Sequence, residues 1–407
     1  MKTIAVITSL DTKGKETLYV KEAIERFGSK ALIIDVGVKE PPYFAPDVTR
    51  YEVSAAAGID WDTVKDKEKR VRISTMTQGL EVLIPKLYAE GKLSAVFSMG
   101  GLQNTTMGTS AMKTLPLGVP KLMLSTMASS NRPFGPFVGT KDMTLMHSVG
   151  DILGVNPVTK AVMDNAVGAI VGMAEHAGNR VAKTDRLLVG ATMLGVTNDG
   201  VSRAVSYLEE AGYDVVTFHA NGAGGPAMEE LIGQDTIDAA MDLTLHEIDA
   251  EFFGGHCSGA TNRLLMAAEK GIPQVVSLGA SDVIDYEVVD LDKVREYGRR
   301  KFVYQHPTIQ HIKLIEDEAL KVGTTIGERL SKAKGPLTLV IPRGGFHQSS
   351  YKGGPIWDPA IDEIIVSNIL SRISPSTRVV ETDAHINEPA FSRVAADEMI
   401  KLLKAMR

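Results

Sequence analysis

The chain of 407 residues contains a single cysteine, Cys257, and no apolar run that approaches 18 residues. A lone cysteine excludes an internal disulfide and is typical of proteins in the reducing cytosol. The apolar run nearest the N-terminus, IAVI, is too short for a signal peptide or a membrane span, and it is typical of a strand. We therefore expect a cytoplasmic protein without a membrane partner.

Two further absences narrow the classes of ligand. The net charge is −6 and no long basic run occurs, so nucleic acid is not an expected partner. The pattern GxxxxGK[ST] is also missing, which excludes a P-loop. The length is sufficient for about two or three domains, each with its own core.

What the chain does contain is an alternation of apolar runs and amphipathic stretches. The runs are nearly continuous in apolar residues, as in strands that helices cover on both faces: KTIAVITS (2–9), KALIIDV (30–36), SAVFSM (94–99) and PKLMLST (120–126). In KGKETLYVKEAIERFG, Val20, Ile24 and Phe27 fall on one helical face. The pattern predicts an α/β protein of doubly wound, Rossmann-like domains with mainly parallel sheets.

The two halves of the chain share this order of elements. The segment that begins at Lys2 and the segment that begins at Asp185 both predict strand, hydroxyl-rich turn, helix, glycine and strand. VFSMGGLQNTTMGT is matched by EFFGGHCSGATNR (251–263), and a proline opens a further strand after each double glycine. We interpret this as an internal duplication, with domains at 1–182 and 183–407. The unmatched segment at about 40–75 is a solvated loop or a dimer arm, and the methionine-rich apolar segments favour a homo-oligomer.

The glycine-rich loop at 99–109 is the first candidate site. Ligands of open parallel sheets bind at the carboxyl ends of the strands, where a loop and a helix N-terminus present N–H groups to an anion. We expect a loop GGLQNTT and then a helix over MGTSAMKT, holding a phosphate and most simply one of a nucleotide. The proposed binding residues are Gly100, Gly101, Asn104, Thr105 and Thr106. Tight turning without a ligand is the alternative.

Two more loops should reach the same edge. In the turn SLDTKGKE, Lys13 can neutralise phosphate, Asp11 can hold a metal or accept from a hydroxyl, and Thr12 lies between them. A helix cap with a surface lysine is the alternative there. The long segment 125–151 begins with Ser125 and Thr126, which we add to the binding residues.

A second cluster, in domain two, is the candidate for proton chemistry. Arg343 can bind a carboxylate or phosphate, and His347 or His385 can act as a general base oriented by Asp383. A divalent site from His256, His385 and Asp383 is conceivable, but the spacing is not diagnostic. HEID (246–249) resembles a helix turn more than a ligand pair, and Cys257 resembles a packing residue more than a nucleophile.

Several blocks in order resemble one family across essentially the whole chain. They are SLDTKGKE, SMGGLQNTTMGT, KLMLSTMAS, GTKDMTLMHSVGDILGVN, FHANGAGGPAMEEL, GIPQVVSLGASD and DAHINEPAF. The chain is similar to the uncharacterised bacterial and fungal family related to the N-terminal domain of the tomato mosaic virus resistance protein. The resemblance implies two Rossmann-like subdomains and ATP binding at the domain-one loops. In plant and many microbial members of the family these subdomains are fused to a barrel domain resembling phosphoenolpyruvate-utilising enzymes. The resemblance therefore implies that this chain acts either alone or with a separate barrel-domain partner.

Three functions stay open at this point. The first is an ATP-binding enzyme that acts on a small oxygenated acid in the interdomain cleft, with Mg²⁺ if it is a ligase or kinase. The second is an ATP-independent lyase or hydrolase of a phosphorylated sugar acid or β-keto acid, with a metal if one is needed. The third is a nucleotide-binding regulator of the barrel-domain partner.

Overall fold

The computed structural model describes residues 1–129, 135–177, 185–287 and 300–406. The chain divides into two compact units, Met1–Ala182 and Lys183–Arg407. Each unit contains a parallel sheet between two layers of helices. The predicted α/β class with doubly wound parallel sheets is confirmed.

The first unit alternates strands and helices along the chain. Its strands are β1 (Thr3–Thr8), β2 (Lys30–Asp35), β3 (Ala95–Gly100), β4 (Lys121–Ser125) and β5 (Thr144–His147). Its helices are α1 (Leu10–Arg26), α2 (Arg50–Ala56), α3 (Lys69–Ala89), α4 (Leu102–Lys113), α5 (Gly135–Val138) and α6 (Pro157–His176). The four apolar runs singled out in the sequence form β1 to β4.

All neighbouring strands of the first sheet are parallel, in the order β2-β1-β3-β4-β5. Val6 of β1 lies between Ile33 of β2 and Phe97 of β3. Apolar residues of α1 and α6 pack on one face of the sheet, and those of α3 and α4 pack on the other. The chain therefore leaves β1 and β3 toward opposite faces, which creates a topological switch point between them.

The segment at 40–75 is not a solvated loop. It contains α2, a single 3₁₀ turn at Trp61–Thr63 and the start of α3. Thr49 and Glu52 form a reciprocal capping box, which fixes where α2 begins. Trp61 is buried in the core, and the Arg50 guanidinium pairs with Asp35 at 2.8 Å. The segment is therefore helical and anchored to the core through Val53 and Trp61, although most of its residues are exposed. The dimer arm stays a prediction.

The second unit has more elements than the first. Its strands are β6 (Leu188–Met193), β7 (Asp214–His219), β8 (Ala239–Thr244), β9 (Gln274–Gly279), β10 (Val283–Glu287), β11 (Phe302–His306), β12 (Ile309–Lys313), β13 (Leu337–Pro342) and β14 (Arg378–Thr382). Its helices are α7 (Asn198–Glu210), α8 (Gly224–Gly233), α9 (His246–Phe253), α10 (Leu265–Lys270), α11 (Glu316–Leu330), α12 (Pro359–Leu370) and α13 (Pro389–Lys404). Among the described residues, no helix combines the length and apolar character needed to cross a bilayer.

The main sheet of the second unit is parallel, in the order β14-β13-β9-β8-β6-β7. The first four strands of each unit thus share one spatial order, as the predicted duplication requires. The proposed match of the two double glycines is wrong, however. EFF (251–253) is the end of α9 (His246–Phe253), because the strand that corresponds to β3 is β8, which ends at Thr244, before α9 begins.

A small antiparallel sheet, in the order β10-β12-β11, joins the second unit between β9 and β13. Nothing in the sequence pattern predicted it. Ile284 and Ile312 pack into the same apolar core as β9 and β13, so this small sheet is anchored to the main one. It brings polar residues of β10 and β12 to the carboxyl edge of the parallel sheet.

Candidate functional site

The first unit has a cavity of about 290 Å³ at its switch point. It lies where β1 and β3 end and where α1 and α4 begin. The turn after β1 and the double-glycine loop, which were predicted to converge, both line it. The lining residues are Ser9, Asp11, Thr12, Lys13, Val38, Lys39, Lys69, Gly101, Leu102, Gln103 and Asn104.

The predicted loop GGLQNTT is shorter than expected, because α4 already begins at Leu102. Asn104 lies inside this helix, and its amide accepts from Ser9 Oγ at 2.6 Å and donates to the Met99 carbonyl at 2.9 Å. Its side chain therefore ties β1 to β3. Both polar atoms of Asn104 are used within the protein, so we do not assign it a direct contact with a ligand.

The predicted hydroxyl donors are likewise committed to the fold. Thr105 Oγ1 donates to Gly101 O at 2.9 Å and lies 2.7 Å from Ser125 Oγ, which also accepts from the Met127 N–H. Thr106 Oγ1 donates to Leu102 O within the helix. These residues, Gly100 and Thr126 do not belong to the cavity lining. They position the loop, which leaves binding to the backbone and to other side chains.

Gly100 and Gly101 have different roles. Gly100 has φ +148°, and a Cβ there would lie 2.7 Å from Asn104 Cβ, so only glycine fits. Gly101 is the N-cap of α4 and has an ordinary φ of −84°. Gly101 makes no side-chain cap hydrogen bond, and Gly101, Leu102 and Gln103 line the cavity at the positive end of this helix.

Asp11 holds the loop after β2 and retains one unsatisfied oxygen. Its Oδ2 accepts from the Lys39 N–H at 2.7 Å and from the Glu40 N–H at 3.3 Å. Its Oδ1 is buried and has no hydrogen-bond partner in the part of the chain that the structure describes. A buried acceptor without a partner lowers the stability of the protein unless a ligand donates a hydrogen bond to it.

Three lysines surround the cavity. The Lys13 ammonium donates to the Ile152 carbonyl and lies 3.9 Å from an Asp151 oxygen, which holds it at the rim. Lys39 follows β2, and Lys69 is the first residue of α3; both are exposed at the opening. Their positive charge adds to that of the helix N-terminus, so the cavity favours an anion.

In the second unit, Arg343 and Asp383 lie apart from the buried histidines. The Arg343 guanidinium pairs with Glu381 at 2.7 Å and with Glu363 at 2.6 Å on the surface. Asp383 is exposed. His385 takes both its partners from the backbone: Nδ1 accepts from the Asn387 N–H at 3.1 Å, and Nε2 donates to the His347 carbonyl at 2.9 Å. The predicted orientation of His385 by Asp383 is therefore wrong.

His347 is fully buried and belongs to a hydrogen-bonded relay of imidazoles. Its Nδ1 accepts from the Ser349 N–H at 3.0 Å, so the ring proton lies on Nε2. His347 Nε2 donates this proton to His311 Nδ1 at 2.7 Å. The proton of the His311 ring therefore lies on its other nitrogen, Nε2. Burial lowers the pKa of His347 well below its ordinary range and that of His311 to about 4, so both rings are neutral.

His311 stacks on His246, with ring centroids 5.7 Å apart. His246, the first residue of α9, is fully buried between Asp249 and Asp285, at 3.3 and 3.2 Å. Burial opposes its charged form, but the two carboxylates outweigh that effect and raise the pKa of His246. Burial raises the pKa of Asp249 to about 7 and that of the Cys257 thiol to about 11.

The metal set conceived from the sequence does not form. His256 is about half exposed and faces Glu287 at 3.4 Å, away from Asp383 and His385. Among the described residues, the group whose donor atoms come together is His246, Cys257 and Asp285, within 4.8 Å of one another. Its position at the carboxyl edge follows from His246 coming two residues after β8.

Sequence reasoning missed His246, Asp285 and His311. HEID directly after the apolar run AAMDLTL was a usable signal, because residues that follow a parallel strand lie at the ligand-binding edge. Asp285 and His311 gave no such signal. They belong to the antiparallel sheet, whose docking depends on contacts remote in the chain.

The comparisons agree with the division of the chain into two units. The model of the N-terminal domain of UPF0261, described as an uncharacterised protein family, matches residues 2–179, and the model of its C-terminal domain matches residues 186–403. A UPF0261 protein of Clostridium tetani is 34% identical over 406 residues, which cover 99% of both chains. A UPF0261 protein of Rhizobium meliloti is 32% identical over 399 residues, 97% of this chain and 98% of the relative.

A tomato protein is also similar. The ToMV susceptible protein tm-1(GCR26) of Solanum lycopersicum is 30% identical over 336 residues, which are 81% of this chain and 44% of the tomato protein. The predicted relationship to the tomato resistance protein is thereby confirmed.

Proposed function

The chain belongs to the UPF0261 family, and we propose that its first unit binds a phosphorylated ligand, with ATP as the first candidate, in the cavity at the β1/β3 switch point. One observation carries the proposal. An uncapped helix N-terminus and three lysines surround a cavity at the edge where doubly wound sheets bind their ligands.

The donors point to phosphate in particular. The N-terminus of α1 has a partner within the protein, since the Leu10 N–H donates to Asp35 Oδ1 at 3.0 Å. The first turn of α4 has no such cap, so the N–H groups of Leu102 and Gln103 are the ones we assign to phosphate oxygens. Lysine binds phosphate as a point charge, and the rim lysines would supply that charge.

The size of the cavity suits the phosphates of a nucleotide better than the whole molecule. About 290 Å³ is at the lower end of the range for small-molecule sites. The base would then lie at the opening, against the exposed side chain of Leu102. The Asp11 carboxylate lines the same cavity and would accept from a ribose hydroxyl or hold the Mg²⁺ that accompanies ATP.

Isothermal titration calorimetry with ATP, Mg-ATP and inorganic phosphate tests the proposal. Lys69→Met should weaken binding about tenfold, because a charged hydrogen bond is lost. Lys86→Met is the matched control, since Lys86 lies in the last turn of the same helix and outside the cavity. Equal affinities in the two variants, or no binding by the wild type at millimolar ligand, would refute the proposal.

A second pair of variants tests the helix N-terminus. Gly101→Ala adds a methyl group to the cavity at a backbone angle that alanine tolerates, with Thr126 Oγ1 at 3.7 Å as its nearest neighbour. Gly168→Ala makes the same change in open space on α6. We expect only Gly101→Ala to reduce affinity, with both variants retaining the thermal stability of the wild type.

The other two functions make distinct predictions in the same titration. Binding of phosphate and sugar-acid phosphates without binding of ATP favours the ATP-independent lyase or hydrolase. Binding of ATP without turnover, together with a co-purifying barrel-domain protein, favours the regulator. ATP hydrolysis or phosphate transfer in the presence of Mg²⁺ favours the ATP-dependent enzyme.

A further inference from the structure

From the buried cluster of the second unit, we infer that His246, Cys257 and Asp285 form a binding site for Zn²⁺. The inference is independent of the phosphate proposal, which concerns the first unit. The donor atoms are His246 Nε2, Cys257 Sγ and a carboxylate oxygen of Asp285. All three residues are buried, and these atoms lie within 4.8 Å of one another.

The His246 ring is oriented as a metal ligand. Its Nδ1 lies 3.0 Å from the Ala280 carbonyl and 3.3 Å from Asp249 Oδ2, so the Nδ1 hydrogen points away from the cluster. A backbone carbonyl or a carboxylate behind the distal nitrogen is the usual support of a metal-bound histidine. Asp249 is thus the positioning residue for His246.

The other nitrogen of the ring is directed into the cluster. His246 Nε2 is fully buried and satisfies no hydrogen bond within the described parts of the chain, although Asp285 Oδ1 is 3.2 Å away. A proton and a metal ion compete for this one position.

The loop that carries the thiol is fixed to the same carboxylate. The Cys257 N–H donates to Asp285 Oδ2 at 3.1 Å, and the His256 N–H donates to the Asp285 carbonyl at 2.9 Å. A Cβ on Gly255 would lie 2.4 Å from Asp285 Oδ1, so only glycine lets the loop approach this closely. The sequence GGHC therefore brings the thiol and the carboxylate together.

The donor set selects the ion. Imidazole, thiolate and carboxylate together suit Zn²⁺, whereas Mg²⁺ and Ca²⁺ prefer sites made only of oxygen. With zinc–ligand lengths of about 2.0–2.3 Å, neighbouring ligand atoms lie about 3.3–3.8 Å apart. Since the donor atoms lie within 4.8 Å of one another, the thiol loop must close by about 1.5 Å at most. Three protein ligands leave a fourth position for water or substrate, as in catalytic zinc sites.

Two further histidines adjoin the site. His311 stacks on the His246 ring, and its Nδ1 accepts a hydrogen bond from His347 Nε2. Zn²⁺ held here would lower the pKa of a water at its open position.

Cobalt substitution of the full chain tests the inference. Protein without a histidine tag is stripped with a chelator, titrated with Co²⁺ and examined for thiolate-to-cobalt charge-transfer absorption and for the visible bands of tetrahedral cobalt. We expect one Co²⁺ per chain, displaced by one Zn²⁺, and a higher melting temperature with Zn²⁺. The absence of both the charge-transfer band and the melting shift in the wild type would overturn the inference.

Variants decide which residues are the ligands. Cys257→Ser should abolish the charge-transfer band and weaken Zn²⁺ binding at least about a hundredfold, and Asp249→Asn should weaken it about 10–100-fold. His256→Ala is the control, because His256 adjoins Cys257 in the chain but is exposed and faces Glu287. Circular dichroism verifies that each metal-free variant is folded. Equal metal affinity in Cys257→Ser and His256→Ala would also overturn the inference.

Discussion

Replacement of Arg263 by methionine should destabilise the second unit strongly. The guanidinium is fully buried and binds both oxygens of Asp242 at 2.7 Å, Glu247 at 2.7 Å and the Thr244 carbonyl at 3.1 Å. The Glu229 carboxylate lies 3.7 Å away. Removal of the cation leaves these carboxylates buried without compensation, which costs about 3–5 kcal/mol for a broken buried ion pair.

Arg343 offers a matched comparison within the same unit. It also pairs with two carboxylates, but Glu363 and Glu381 are exposed, so Arg343→Met should cost less than about 1 kcal/mol. The chain has one tryptophan in each unit, and a Trp61→Phe background leaves Trp357 as the reporter of the second unit. Urea unfolding followed by its fluorescence gives both free energies.

The pH dependence provides a second test of the same reasoning. Burial already raises the pKa of Glu229 to about 7, against the attraction of Arg263. Without Arg263 the pKa of Glu229 rises further, so the folded variant binds a proton more tightly than the unfolded chain and gains stability as the pH falls. The loss of unfolding free energy in Arg263→Met, relative to the wild type, should therefore become smaller as the pH falls from about 8 to about 6. Equal losses in the two arginine variants, or a deficit that does not change with pH, would refute this account.

Two other predictions concern the rest of the chain. Gly100→Ala should lower the free energy of unfolding by about 1–3 kcal/mol, because φ is +148° and the new Cβ would meet Asn104; thermal denaturation beside the wild type measures it, and an unchanged melting temperature would contradict it. Hydrogen bonds from Arg378 lower the pKa of the buried Glu398 to about 2, so its contribution to stability is complete above its ordinary pKa of 4.5 and is lost as the pH falls toward 2. The difference in unfolding free energy between the wild type and Glu398→Gln should close over that interval, and a constant difference in urea titrations would count against it.

Much of the fold could be predicted from the sequence because its signals are local. Continuous apolar runs such as KALIIDV mark strands buried on both faces, and the spacing of Val20 and Ile24 marks the helix between them. The antiparallel sheet was not predictable in this way. Its strand β11 is largely exposed and β12 is buried and polar, so neither has the pattern of a core strand.

The sites could be predicted only to the level of the loop. The sequence correctly predicted that Asp11 and Lys13 lie near the double glycine. Each follows a parallel strand, and the carboxyl ends of parallel strands meet at one edge of the sheet. The roles of individual side chains depend on hydrogen bonds that the sequence does not reveal. Asn104 and His385 have the chemistry of binding residues, but internal partners use their polar atoms.

The antiparallel sheet between β9 and β13 distinguishes the second unit from the first and contributes residues to the buried cluster. Both units build their first four strands in the same order without such a sheet. Asp285 and His311 belong to this addition, whereas His246 belongs to the shared core. One insertion into an existing unit thus adds a carboxylate, Asp285, and an imidazole, His311, to a strand end that already carries His246. A unit without this sheet would lack both groups while keeping the same order of parallel strands.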